Sequence, residues 1–226
     1  MTTDLITKLN ILGSYQFDNN YTNLSKILLK KFSLEETHCT CGENDDRLIH
    51  SFDRYKTLFE TVICRKCGII RAKKYFTKND IKNVYTNYFN NIRLENTENL
   101  YQIKANSVDT IAQWKIIEQH VNLTNSKKLE IIDIGGASGG FLDKHKDNHN
   151  CTLVDFDSRW QKTAKNNNIS TIIGGLNEVV KTNKKYDLIV LNHVVEHWID
   201  IEQELNNLKK ICEKHKTKIF IEVPGI

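Results

Sequence analysis

One stretch constrains this chain more than any other: Leu129-Glu-Ile-Ile-Asp-Ile-Gly-Gly-Ala-Ser-Gly-Gly-Phe141. An apolar run closes on Asp133, and a cluster of small residues follows at once. The pattern predicts a buried strand, a tight turn and the start of a helix. Glycines there let the backbone approach a ligand closely, and a helix N-terminus leaves amide donors free.

The residues that follow alternate between the two periodicities. Strands are expected over Leu129–Ile134, Cys151–Val154, Ser170–Ile173, Tyr186–Leu191 and Lys218–Val223. Helices are expected from Gly139 to Lys146, over Ser158–Asn166 with Ser158 as N-cap, and over Ile199–Glu213. Such alternation implies an α/β fold, a doubly wound and mostly parallel sheet. Ligands of such sheets lie at the carboxyl ends of the strands. The sequence ends at Ile226, just past the fifth strand, so the reading is of a sheet truncated after strand five.

Read as Asp133-x-Gly135-x-Ala137-x-Gly139, the turn resembles the first motif of class I S-adenosylmethionine (SAM) dependent methyltransferases, acidic-x-Gly-x-Gly-x-Gly. Alanine replaces the middle glycine. The resemblance implies a Rossmann-like domain and a SAM site. In that site Asp133, Gly135, Gly136, Ala137 and Gly139 cradle the cofactor, with Asp133 toward its amino end. Asp155 closes the second strand about 20 residues on, where a carboxylate can accept the ribose hydroxyls. Asp157 is its rival if that strand runs longer. Phe156 is expected near the adenine, Leu176 and Asn177 after strand three beside it, and Asn192 near the methionine moiety. A dinucleotide fold competes, because Gly135-x-Ala137-x-x-Gly140 fits its loose fingerprint. Asp133 argues against it, since that position is usually apolar or small there.

The segment Tyr186-Asp-Leu-Ile-Val-Leu-Asn-His-Val-Val-Glu-His-Trp-Ile-Asp200 resembles the strand-four region of small-molecule and sugar methyltransferases. It places His193, Glu196 and His197 beside the donor. An alcohol acceptor gains from a base that takes its proton, and histidine titrates in the useful range. His197 is read as that base, Glu196 as its partner or a second base, and His193 as the reserve. A structural role for the Glu-His pair is the competing account.

Four of the six cysteines form a set, Cys39-Thr-Cys41-Gly42 and Cys64-Arg-Lys-Cys67-Gly68. Two cysteine turns, each followed by glycine, make a zinc-ribbon-like pattern, and a closed four-ligand site is structural. The first turn is one residue short of Cys-x-x-Cys, and His38 stands where a first cysteine would. The ligands are therefore Cys39, Cys41, Cys64 and Cys67, or His38 in place of Cys39. Cys151 and Cys212 read as core thiols. A zinc segment ahead of a cofactor domain is also similar to the sugar C-methyltransferases. That similarity implies that Tyr88, and with it Tyr85, faces the cofactor or acceptor.

Three segments result: residues 1–37 with short helices near Asp4–Leu12 and Leu24–Phe32, a zinc-binding module over 38–78, and a SAM domain over 79–226. The last includes helices over Asn79–Tyr88 and Thr97–Val121. The N-terminal helices read as packing elements, with a homo-oligomer left open. No apolar run approaches the ~20 residues of a membrane span, and no secretory signal is evident. A cytoplasmic location is the expectation. The net charge of +4 is diffuse, which argues against a nucleic-acid track.

The function expected is methyl transfer to a small polar acceptor. O-methylation of a nucleotide-activated sugar or phosphoramidate-type precursor of a surface polysaccharide is the form expected. An RNA methyltransferase and a non-catalytic SAM- or partner-binding module are the alternatives.

Overall fold

The computed structural model describes residues 31–52, 58–84, 97–123, 127–213 and 215–224. The chain divides into two compact units, Met1–Arg93 and Leu94–Ile226. The expected helix at Asp4–Leu12, most of that at Leu24–Phe32, and both Tyr85 and Tyr88 lie outside the described residues.

In the first unit, β1 (Leu34–Glu36) pairs antiparallel with β5 (Lys74–Phe76). Between them β2 (Asp46–His50), β3 (Thr61–Cys64) and β4 (Ile70–Ala72) form an antiparallel meander. In β3 the inward positions, Val62 and Cys64, are buried and their neighbours half-buried, the period-2 alternation of a strand with one covered face. Arg71 on β4 donates both terminal nitrogens to the Asp46 carboxylate at 2.8 Å. This bidentate pair, the stronger form of such a contact, pins the two outer strands of the meander. The Arg71 guanidinium holds the Asp46 carboxyl below its usual range. α1 (Lys78–Val84) begins at Thr77, whose hydroxyl accepts from the Asp80 amide at 3.2 Å. Phe32, Phe76 and Val84 make a small core of their own.

The second unit is a parallel sheet of β6 (Glu130–Ile134), β7 (Asn150–Asp155), β8 (Ser170–Ile173), β9 (Leu188–Asn192) and β10 (Lys218–Glu222), in the order β10-β9-β6-β7-β8. Every neighbouring pair is parallel. Seven further elements among the described residues of this unit are α2 (Thr97–Ala105), α3 (Val108–His120), a 3₁₀ turn (Gly140–Leu142), α4 (Arg159–Asn166), α5 (Leu176–Thr182), a second 3₁₀ turn (Val195–His197) and α6 (Ile201–Cys212). Side chains alternate across the sheet as the pleat requires. Ile131, Leu153, Leu188 and Val190 pack with Trp114 and Ile117 of α3 and Trp160 and Ala164 of α4. Ile132, Val154, Ile189 and Leu191 pack with Leu176 and Val179 of α5 and Leu208 and Ile211 of α6. Helices thus cover both faces, and the doubly wound parallel sheet expected from the sequence is what forms. Among the described residues, no helix is long and apolar enough to cross a membrane.

Three local expectations need correction. The long helix over Thr97–Val121 is two helices, broken before Ser107. That residue is extended and accepts the Thr110 amide at 3.1 Å, so it caps α3 rather than continuing α2. The helix expected from Gly139 to Lys146 is only a 3₁₀ turn followed by further turns. The chain must return from the end of β6 to Asn150, which pairs with Glu130 at the start of that strand. The 3₁₀ form rises about 2.0 Å per residue against 1.5 Å for an α-helix, which suits so short a return. Lastly, Ser158 makes no capping bond. Asp157 Oδ1 accepts the Arg159 amide at 3.0 Å and caps α4 in its place.

Candidate active site

The glycine turn leaves β6 at its carboxyl end. Gly135 and Gly139 adopt φ of 68° and 77°, and Ala137 sits at 48° in the same left-handed region. A Cβ on Gly136 would stand 2.2 Å from Asp133 Oδ2 and 2.8 Å from Leu153 Cδ1, so only glycine fits. Gly140 is equally constrained, since a Cβ there would meet the Tyr101 carbonyl oxygen of α2 at 2.3 Å.

Two carboxylates flank the turn. Asp133 is 1% exposed, and burial pushes its pKa up to about 7. Its Oδ1 has no hydrogen-bond partner among the described residues. Asp155 ends β7, and burial raises it to about 6. Its Oδ2 accepts the Ala137 amide at 3.1 Å and its Oδ1 the Asp157 amide at 2.9 Å. Asp157, the rival acid, is spent on Arg159 at 2.6–3.0 Å. Phe156 is 53% exposed, and its Cζ would lie 2.9 Å from a Cβ on Gly175. That ring rests on the turn after β8 because the turn carries no side chain there. Asn177 is exposed beside it, whereas the Leu176 side chain is buried in the core.

At the ends of β9 and β10 a polar cluster assembles. Asn192 and Glu222 are partners in the parallel register. Gln113 of α3 is 4% exposed. It donates to Glu222 Oε1 at 2.8 Å and accepts from Asn192 Nδ2 at 3.1 Å. His193 follows at φ 56°, its amide bonded to the Glu222 carbonyl at 2.9 Å. Its Nδ1 lies 3.5 Å from Glu196 Oε1 and its Nε2 3.6 Å from Glu222 Oε1. His197 Nε2 is 3.9 Å from Glu196 Oε1 and half-exposed. The cluster adjoins the glycine turn, because a Cβ on Gly135 would meet Val194 Cγ2 at 2.8 Å.

Sequence reasoning missed Gln113 and Glu222. Glu222 carried a usable signal, as an acid near the end of the strand expected over Lys218–Val223, at the edge where ligands of such sheets bind. Gln113 carried none, since its partners are 79 and 109 residues away.

In the first unit the Sγ atoms of Cys39, Cys41, Cys64 and Cys67 lie within 4.8 Å of one another. The Cys39–Cys67 and Cys39–Cys41 distances are both 3.3 Å, and Cys41–Cys64 is 3.6 Å. Tetrahedral zinc at ~2.3 Å from each sulfur sets sulfurs close to 3.8 Å apart, so the donor set fits a metal ion. His38 stands apart and faces Asn44 at 3.5 Å. Gly42 and Gly68 turn with φ of 81° and 78°, and their amides bond back to the carbonyls of Cys39 and Cys64 at 2.9 Å. Open space surrounds both positions, so glycine is needed for the turn angle alone. Amide donors of the second turn, that of Cys67 foremost, bring the Cys64 thiol down to about 7, favouring the thiolate that binds metal.

A parallel sheet in this strand order, with a glycine turn after its first strand and an acid closing its second, is the arrangement that class I SAM-dependent methyltransferases share with dinucleotide-binding folds, and the family match decides between them. The family described as a methyltransferase domain matches residues 108–226, more than half of the chain, and the chain belongs to it.

Several solved structures are similar. Monomeric WbdD is 20% identical, with 50% of this chain and 31% of that one covered and a TM-score of 0.42. Magnesium protoporphyrin IX methyltransferase from Synechocystis PCC 6803, with bound SAM, is 14% identical, with 60% and 70% covered and a TM-score of 0.43. A SAM-dependent methyltransferase from Archaeoglobus fulgidus is 22% identical, with 55% and 57% covered and a TM-score of 0.40. The chain thus spans about a third of WbdD. No curated protein sequence matches it.

Proposed function

We propose that this protein is a SAM-dependent methyltransferase that O-methylates a small polar acceptor. The acceptor class we assign is a nucleotide-activated sugar or a phosphoramidate-type precursor of a surface polysaccharide. One observation carries the reading: the glycine turn and the His193–Glu196–Glu222 cluster are neighbours, through Gly135 and Val194.

In this reading the turn Gly135–Gly139 and Asp133 hold the methionine end of the cofactor, and the orphaned Asp133 Oδ1 accepts from its ammonium group. Asp155 keeps lone pairs for the ribose hydroxyls, and Phe156 on Gly175 offers a face to the adenine. When bound, SAM would supply an electrophilic methyl on its sulfonium to a lone pair of the acceptor oxygen, with a neutral thioether as leaving group. The chain's own work is to orient the acceptor and take its proton. Glu196 and Asn192 suit the neighbouring hydroxyls of a sugar ring, which donate to a carboxylate or an amide oxygen. The negative charge of Glu196 and Glu222 favours a neutral reacting end, with any phosphate held further off.

The cysteine cluster is a structural zinc site in this reading, since four protein ligands leave no open position for chemistry. Thiols held for metal also suit the reducing cytoplasm.

Calorimetry with SAM and S-adenosylhomocysteine tests the cofactor, and binding of both is expected. Binding of neither overturns the enzyme reading in favour of a partner-binding module. Transfer of labelled methyl to UDP- and GDP-linked hexoses, run beside total tRNA in a salt series, tests the acceptor. Label on the sugars is expected. Label on tRNA, falling steeply with salt, overturns the sugar assignment.

A further inference from the structure

The two carboxylates at His193 are not equivalent. Glu222 Oε1, 3.6 Å from His193 Nε2, is held by the buried Gln113 amide at 2.8 Å. Gln113 is itself locked by Asn192, from the residue before His193. The His193 backbone is tied to the same glutamate by its amide bond to the Glu222 carbonyl. Glu196, 3.5 Å from Nδ1, is instead shared with His197 at 3.9 Å and sits on a 3₁₀ turn whose residues are not buried. Glu196 and Glu222 are the carboxylates beside His193, and His197 stands on the far side of Glu196 as its second partner.

We propose that Glu222, aligned by Gln113, is the positioning residue that keeps His193 protonated on Nε2, so that Nδ1 is the base that takes the acceptor's proton. This rests on the methyltransferase reading above. The fixed carboxylate accepts from Nε2–H, and a neutral imidazole with one nitrogen so engaged has its lone pair on the other. Nδ1 then points to the side where Glu196 stands, and the acceptor hydroxyl enters between them. Its proton passes to Nδ1, and the imidazolium that forms keeps its Nε2–H toward Glu222, which stabilises the charge. The proton leaves later to water. Glu222 is not itself a catalytic residue, because it acts through the ring.

The test is the His193 ring in long-range ¹H–¹⁵N spectra of ¹⁵N-histidine protein, with the signal assigned by His193→Asn. It is recorded without ligand and with S-adenosylhomocysteine. The Nε2–H tautomer is expected in the native protein. In Glu222→Ala, Glu196 becomes the sole remaining carboxylate, and the ring shifts toward Nδ1–H. Glu222→Gln, whose amide oxygen still accepts, restores the native tautomer. An Nδ1–H ring in the native protein overturns the proposal, as does an unchanged ring in Glu222→Ala. If Glu222→Ala does not fold, Gln113→Leu serves, and an unchanged tautomer there overturns the proposal equally. Failure of S-adenosylhomocysteine to bind would sink the methyltransferase reading, while the ligand-free spectra would still decide the ring.

Discussion

Asp155, the last residue of β7, accepts the amide of Ala137 at 3.1 Å, and Ala137 is held at φ 48°. The acid of one strand therefore fixes the turn of the next in a left-handed conformation that alanine disfavours. Asp155 is both a candidate ligand and the clasp of the site.

Glycine should relieve that turn. The left-handed region costs a non-glycine residue about 1–2 kcal/mol. The extra freedom of glycine in the unfolded chain takes back about 0.4–1 kcal/mol. Ala137→Gly is therefore expected to stabilise the protein by roughly 0.5–1 kcal/mol, the difference of these two terms. Urea unfolding would show it, and a loss of stability would mean that Asp155 does not strain the turn.

Asp133 should give the fold a distinctive pH dependence. Burial raises its folded pKa to about 7, above the usual carboxylate range. The folded state then binds more protons than the unfolded chain between roughly pH 4 and 7, and stability falls as pH rises through that window. Asp155, raised to about 6, acts in the same direction. His145, which burial lowers to about 4, acts in the opposite one. Asp133→Asn isolates the first contribution. The variant should be more stable than the native protein at pH 8, by a few kcal/mol at most, with the gap closing toward pH 5. A gap that stays constant with pH would show that Asp133 does not titrate there.

Two glycines of the turn should fail differently. Gly136→Ala forces a methyl onto the Asp133 and Leu153 side chains and displaces the Asp133 carboxyl, so cofactor affinity by calorimetry should fall by about tenfold, ~1.4 kcal/mol of binding. Gly140→Ala drives a methyl into the α2 backbone, which cannot step aside. It should cost about 1–3 kcal/mol or more of stability. A normal melting temperature for Gly140→Ala would contradict the close approach of α2.

Metal removal should act on the first unit. Zinc analysis of purified protein is expected to find one ion per chain, lost in Cys64→Ser. Binding free energies of such sites run to about 10–16 kcal/mol, so chelation should unfold the β2–β3–β4 meander. Retained protection of its amides from exchange after chelation would show that the metal does not hold it.

The two histidines should separate kinetically. His193→Asn is expected to lower turnover by about 10²-fold or more, as loss of a general base does. His197→Asn should lose less, since its ring meets one shared glutamate at 3.9 Å. The reverse order would return the base to His197.

The parallel sheet was legible because strand burial and the period of the apolar runs are local properties. Ile131 and Ile132 already announce two covered faces. The Cys-x-Cys and Cys-x-x-Cys turns were legible for the same reason, as each turn is a few residues long. The break at Ser107 was harder to see, because one capping bond outweighed helical periodicity on both sides. The 3₁₀ turn at Gly140 was harder still, because the distance back to Asn150 depends on which strands pair.

What the chain's linear order determined was the succession of strands and helices, the glycine turn with its acid, and the paired cysteine turns. Each of these follows from neighbours in sequence. Tertiary structure decided that Asp157 serves Arg159, that Cys39 rather than His38 joins the sulfur cluster, and that Gln113 and Glu222 meet Asn192 and His193. Those contacts join residues far apart in the chain or choose between adjacent candidates. Only the paired strands and packed helices bring such groups within hydrogen-bonding reach.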